Sequence, residues 1–120
     1  MAVTVTNQSN PLGARLVQDT AATNVAVDNT TGTDGTLYAV EIVNSTGSPV
    51  YFKLADTADA TAGTTAADVV LMCGGSSTQN YVFPSGIVFS VGFSHWCVTG
   101  AAQSSVVAPG SAVIARYVTS

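Results

Sequence analysis

Residues 37–54 read LYAVEIVNSTGSPVYFKL, and the fold class follows from that stretch. Leu37 to Val43 alternates, with Tyr38, Val40 and Ile42 on one face and Ala39 and Glu41 on the other, which is the period of a half-buried strand. Asn44-Ser45-Thr46-Gly47-Ser48-Pro49 follows, a run of turn-forming residues in which Gly frees φ and Pro pre-sets it. Val50 to Leu54 then alternates again, placing Val50, Phe52 and Leu54 inward and Tyr51 and Lys53 outward. Together the two runs predict a β-hairpin.

The same pattern extends in both directions. Downstream, strands are expected at Asp68 to Cys73, ending at Gly74-Gly75-Ser76-Ser77, and at Gln79 to Phe83, closed by Pro84-Ser85-Gly86. Ile87 to Val91 alternates again, Gly92 marks a bulge, and His95 to Thr99 continues the run. After a polar loop from Gly100 to Gly110, Ser111 to Val118 forms the last strand. In it Val113, Ala115 and Tyr117 face one way and Ile114, Arg116 and Val118 the other. Upstream, Val3 to Val5, Ala14 to Val17 and Asn24 to Val27 are weaker strand candidates. Asp56 to Ala67 is rich in Ala, but Thr57, Thr61, Gly63, Thr64 and Thr65 interrupt it and no apolar stripe recurs at helical spacing, so it reads as a long loop with at most one helical turn. Seven to nine short strands at this spacing predict an all-β fold, an antiparallel β-sandwich or jelly roll. The 120 residues suit one domain. Within it, 1–35 reads as an N-terminal arm onto a neighbour or as a first strand with loops, part of the same domain, and 36–120 as the sandwich body.

Charged residues make up only 8% of the chain, against about 25% in an average soluble protein. Thr, Ser, Ala, Asn and Gly take their place. Short hydroxylated side chains lose little rotamer entropy when another surface covers them, whereas Lys and Glu are costly to order and are depleted from interfaces. A protein of this composition suits burial among neighbours, and a secreted β domain would share it. The net charge is −4, with Arg15, Lys53 and Arg116 the only cations. Three dispersed cations cannot track a phosphate backbone, so no nucleic-acid partner is expected. The start, MAVTVTNQSN, lacks the basic and apolar regions of a signal peptide, which predicts synthesis without export or a signal already replaced. The longest apolar run, Val69 to Cys73, falls far short of the roughly 20 residues a membrane helix needs, so no membrane association is expected.

Residues with reactive side chains are few. His95 is the single histidine, flanked by Ser94 and Trp96. Neighbours on a strand point to opposite faces, so Ser94 and His95 cannot act as nucleophile and base. Cys73 or Cys97 with His95 is the remaining nucleophilic arrangement, set against a half-buried structural histidine. One His and two distant Cys have no zinc spacing. Asp56, Asp59 and Asp68 share a loop region without the register of a calcium loop. Only Glu41 and Asp68 are placed on strands as candidates for paired-carboxylate chemistry. Gly74-Gly75-Ser76-Ser77 has no helix after it to hold a phosphate and reads as a turn. The two cysteines read as small buried hydrophobes, with a disulfide between them left open. Aromatic side chains are assigned to the core, with exposure of Tyr51 or Trp96 as a sugar- or protein-binding patch the alternative. No catalytic, cofactor-binding or metal-binding residue is therefore assigned, no cofactor is expected, and the chain is not expected to be an enzyme.

Residues 37–93 also resemble a pattern of small virion proteins of tailed bacteriophages. Its elements here are Asn44-Ser45-Thr46-Gly47, Val50 to Leu54, Gly63-Thr64-Thr65, Val69 to Met72, Gly74-Gly75 and Phe83 to Gly92. Met72-Cys73 and the strand His95-Trp96-Cys97 depart from the pattern. The resemblance covers about half the chain and implies a β-sandwich or jelly-roll capsid decoration (cement) protein. Such a protein is made in the host cytoplasm, resides on the capsid surface of the virion, and binds the major capsid protein as a homo-oligomer, a trimer ahead of a dimer. Its matched positions determine fold, so no contact residue carries over. A phage tail, collar or head-fibre component, with receptor binding among its roles, is the alternative, and an exported adhesin-like β domain is the second.

Overall fold

The computed structural model describes residues 3–7 and 14–120. The polar run Gln8 to Pro11 and Met1 lie outside the described residues. Eight strands follow one another, β1 (Val3–Asn7), β2 (Arg15–Ala22), β3 (Gly35–Asn44), β4 (Val50–Asp56), β5 (Val69–Cys73), β6 (Ser77–Phe89), β7 (Phe93–Val98) and β8 (Val113–Thr119). Among the described residues there is no helix. The strands form two antiparallel sheets, one of five strands in the order β1-β2-β8-β3-β6 and one of three in the order β5-β4-β7. From β3 onward the chain passes from the large sheet to the small one and back, and Val27, bridged to His95, stands at the free edge of β7. This is an antiparallel β-sandwich with jelly-roll winding.

Alternation explains which faces meet. Val40 and Ile42 of β3 and Ala115 and Tyr117 of β8 point from the large sheet into the core. Val50, Phe52 and Leu54 of β4 meet them from the small sheet, as the 37–54 pattern predicts. Burying each of these larger side chains contributes about 1.5–3 kcal/mol.

The predicted hairpin is not one. β3 and β4 belong to different sheets, so residues 45–49 form a corner across the sandwich. Side by side, the two strands would share one sheet face. On opposite sheets they bury those faces against each other. Asn44, itself buried, holds the corner, its Nδ2 donating to Ser48 O (2.8 Å) and Gly74 O (3.0 Å) while its Oδ1 accepts from Thr46 N (3.0 Å).

Other boundaries shift as well. The expected strands 79–83 and 87–91 are one strand, β6, whose residues 83–86 bulge out because Ala39 pairs with Val82 and Leu37 with Ile87. Gly86 takes φ +74° there, a conformation that favours glycine. β3 bulges at the same level against β8, where Leu37 pairs with Thr119 and Ala39 with Val118, and this turns Leu37, rather than Tyr38, into the core. β7 does not continue β6 but crosses to the small sheet, and Asn24 to Val27 contributes only the isolated bridge. β1 and β2 pair with each other and extend the large sheet through β8. The Ala/Thr segment is the expected loop, with a single helical turn where Thr65 N donates to Thr61 O (2.9 Å).

A second layer lies outside the small sheet. Ala55, Trp96 and Val98 point away from the main core and cluster with Ala60, Ala26, Ala62 and Ala67. β7 is therefore buried along its whole length.

Candidate functional site

The polar groups with chemical potential fall in three places. The first is the centre of the sandwich. Asp19 and Tyr117 project inward from adjacent strands of the large sheet, β2 and β8, where Asp19 pairs with Ala115 and Val17 with Tyr117. His95 enters from β7 between them. Its Nε2 lies 2.8 Å from Asp19 Oδ2 and its Nδ1 2.9 Å from the Tyr117 hydroxyl, which is 2.7 Å from Thr30 Oγ1. The imidazole packs at 5.2 Å on the Phe52 ring and edge-on to Tyr117 at 5.4 Å. Burial alone would raise the Asp19 carboxyl. The hydrogen bond from His95, the Ala21 N–H and the His95 charge outweigh it and hold the group below its ordinary value of 3.8. Burial pushes the Tyr117 hydroxyl far up, so it remains a neutral phenol. The carboxylate can only accept, so the proton between the pair sits on Nε2. Every ring nitrogen has a protein partner and no part of the imidazole reaches solvent.

The other residues considered for catalysis point elsewhere. Ser94 Oγ donates to Thr57 O (2.8 Å) and accepts from Asn29 N (3.0 Å) on the opposite face of β7. Cys73 Sγ is turned toward Ser77 O (3.4 Å) and Ile42 O (3.6 Å). Burial pushes the Cys97 thiol up to about 12, with the Cys73 and Asp19 charges adding to the effect. Both thiols are free and buried. They flank β4 on either side, Cys73 opposite Val50 and Cys97 opposite Phe52. Two strand spacings, about 9.5 Å, exceed the roughly 7 Å reach of a disulfide, so the two cannot bridge within this fold.

Of the three acids expected in the loop, Asp56 and Asp68 accept backbone hydrogen bonds. Asp56 accepts from Ser90 N (2.9 Å), Val91 N (2.7 Å) and Gly92 N (3.2 Å), closing the turn between β6 and β7. Burial opposes ionisation of Asp56, and those N–H bonds overcome it and hold the carboxyl low. Asp68 Oδ2 accepts from Asp56 N (2.7 Å). Among the described residues no three His, Cys, Asp or Glu side chains gather where they could hold a metal ion. Asp19 was absent from the expected strand acids, because β2 runs past the predicted end at Val17 to Ala22. The acids on strands are Asp19, Glu41 and Asp56, while Asp68 immediately precedes β5.

The second place is the outer side of the small sheet. Lys53 has the outward parity expected of it, yet it is only 1% exposed, because residues 57–68 and 99–107 fold over that face. Its Nζ donates to Ala102 O (2.7 Å), and burial lowers its affinity for a proton. Lys53 is the cross-strand partner of Trp96, and both line a cavity of about 100 Å³. Trp96 is buried, as the core assignment has it, and Tyr51 is half-buried. The readable signal for this second layer was the parity of β7, where Trp96 and Val98 oppose Phe93 and Cys97. A strand apolar on both faces needs cover on both.

The third is the outer face of the large sheet, over which no described strand lies. The register aligns Thr6, Leu16, Val118, Ala39 and Val82 in one row across all five strands. The next row is Thr4, Gln18, Arg116, Glu41 and Asn80. Arg116 donates to Gln18 Oε1 (2.7 Å) and to Glu41 Oε1 (2.6 Å), so the charges on this face neutralise each other. A shallow groove of about 200 Å³ runs between the rows, with Val82 (61% exposed) at its β6 side, and Val88 (74%) is exposed further along β6, beyond the bulge.

Comparison with protein-family models, with curated proteins and with solved structures finds no match to this chain.

Proposed function

We propose that this chain is a structural virion protein of the capsid-decoration type. In this reading it sits on a tailed-phage head as a homo-oligomer, a trimer ahead of a dimer, against the major capsid protein. The observation that carries the reading is the open outer face of the five-stranded sheet. Its rows of Val, Leu, Ala and Thr hold one self-compensated ion pair, so covering them removes apolar area from water and strands no charge. Apart from Gln18, Glu41 and Arg116, which already hold one another, the side chains there are short or branched and lose little freedom on contact. The edge of β6 is unsuited to strand addition, since Pro84 and the bulge interrupt it, which directs association to the face. The resemblance over residues 37–93 supplies the kind of assembly. Many copies on one head would make a modest single contact durable.

Purified protein added to undecorated heads should bind to saturation and raise their resistance to heat and low salt. Val82→Glu, on an exposed position of the face, should leave the thermal midpoint of the isolated protein nearly unchanged and abolish decoration. Attachment to tails alone, or full decoration by the Val82→Glu protein, would overturn the reading.

A further inference from the structure

We infer that β1 is an interface for a second copy of this chain, the two β1 strands pairing antiparallel about a twofold axis. The large sheets of both copies then join into one of ten strands, five from each. An unpaired strand edge is a row of open N–H and C=O groups that another chain can join unless something blocks it. Among the described residues, three of the four sheet edges are blocked. Pro84 and the 83–86 bulge interrupt β6. The edge of β5 is capped by Tyr81, whose hydroxyl donates to Met72 O (2.5 Å). Residues 23–30 run along β7, where Val27 and His95 exchange both backbone bonds, Cys97 N donates to Thr23 O and Thr30 N to Phe93 O. β1 is the fourth edge, and no described strand lies beyond it. Its sequence, VTVTN, has no charge and no proline, and its pairing with β2 runs from Val3 to Asn7 without a bulge, so none of the usual protections is present.

Val5 carries a second, independent sign. It pairs with Val17, and cross-strand partners project to the same side of a sheet. Val17 is wholly buried in the core, yet Val5 is 43% exposed. The small sheet has three strands against five, and a core-facing side chain on the outermost strand is left half-covered. What fits this edge is the strand itself. Valine and threonine alternate symmetrically about Val5, so with Val5 opposite the Val5 of the second copy, Thr4 stands opposite Thr6. The two valines then meet on the core side and the threonines on the outer face. Such pairs are favourable cross-strand neighbours, and no like charges oppose one another. The axis relating antiparallel neighbours is perpendicular to the sheet, so the outer faces of both copies lie side by side and stay open. The inference does not rest on the virion reading. Where that reading puts a trimer ahead of a dimer, a self-complementary edge closes after two copies.

A five-residue edge is a small interface of the weak kind, so sedimentation of the intact protein from about 10 μM to about 1 mM should show a monomer–dimer equilibrium. Val5→Lys and Val5→Glu should each stay folded and self-associate at least about tenfold more weakly, because like charges would stand directly opposite. An equimolar mixture of the two should dimerise again as opposite charges meet, a rescue that only the Val5–Val5 register provides. In the wild-type protein, amide hydrogen exchange within residues 3–7 should slow as concentration rises. A monomer throughout that range, a trimer, or exchange in β1 indifferent to concentration would overturn the inference. So would a dimer that Val82→Glu abolishes and Val5→Lys does not, which would place the contact on the face. If the charged variants do not fold, the mass and the exchange of the wild-type protein decide. None of these outcomes turns on the decoration of heads.

Discussion

His95 Nε2 lies 2.8 Å from Asp19 Oδ2, and through that contact β7 of the small sheet is tied to β2 of the large one in the middle of the core. Apolar packing between sheets tolerates sliding more readily than a buried hydrogen bond does, because a displaced polar group is left without a partner. The His95–Asp19–Tyr117 set therefore locks the relative position of the two sheets.

Removing one member should be costly. Asp19→Ala leaves a buried imidazole N–H with no acceptor and should destabilise the fold by about 3–5 kcal/mol. Tyr117→Phe deletes one hydroxyl and should cost about 1 kcal/mol. Urea midpoints at neutral pH measure both. An Asp19→Ala protein as stable as wild type would refute the locking role.

Acid should weaken the fold through the same group. The folded Asp19 and Asp56 carboxyls both lie below their ordinary value of 3.8, so the unfolded chain takes up protons first as pH falls. Their contribution is fully present above 3.8 and drains away as pH drops through it toward the lower folded values. Stability should hold from neutrality down to about pH 5 and fall below about pH 4. Asp19→Asn should start less stable and show a shallower acid limb, which urea denaturation across pH would reveal.

Gly75 should resist any side chain. A Cβ there would stand 2.6 Å from Gly47 O and 2.7 Å from Gly47 C, and backbone cannot swing aside as a flexible side chain can. Gly75→Ala should destabilise by about 1–3 kcal/mol by forcing the 45–49 corner away from the β5–β6 turn. Gly47→Ala, with open space around the added methyl, is the control and should be close to neutral. Equal midpoints for the two variants would contradict the close approach.

The thiols should be silent until the protein unfolds. Both are buried, and Cys97 in addition holds its proton up to about 12. A thiol reagent at mildly alkaline pH should label neither in the native protein and both in guanidinium, whether or not reductant is added first. Rapid native labelling, or a release of thiols by reductant, would contradict the burial or the separation of Cys73 and Cys97 across β4.

Much of the fold was legible residue by residue. The alternation of Val40 and Ile42, of Val50, Phe52 and Leu54, and of Val113, Ala115 and Tyr117 depends only on the two-residue period of a strand, and each run faces the core as its pattern says. The Asn44 to Pro49 run marked a reversal for equally local reasons. Whether that reversal joined neighbours in one sheet or crossed between two was not local. It was decided by which apolar faces could cover one another.

The polar features were less legible for the same reason. Lys53 had outward parity, and only the loops at 57–68 and 99–107 turned an outward lysine into a buried one beside Trp96. Asp19 and His95 are separated by 76 positions, and nothing in either local run announces the other. By itself the sequence determined where strands lie and which way their side chains point, because backbone stereochemistry sets that over a few residues. Strand partners, the cover over Lys53 and the His95–Asp19 contact were decided only by tertiary structure, because burial is a property of what distant chain packs above a residue.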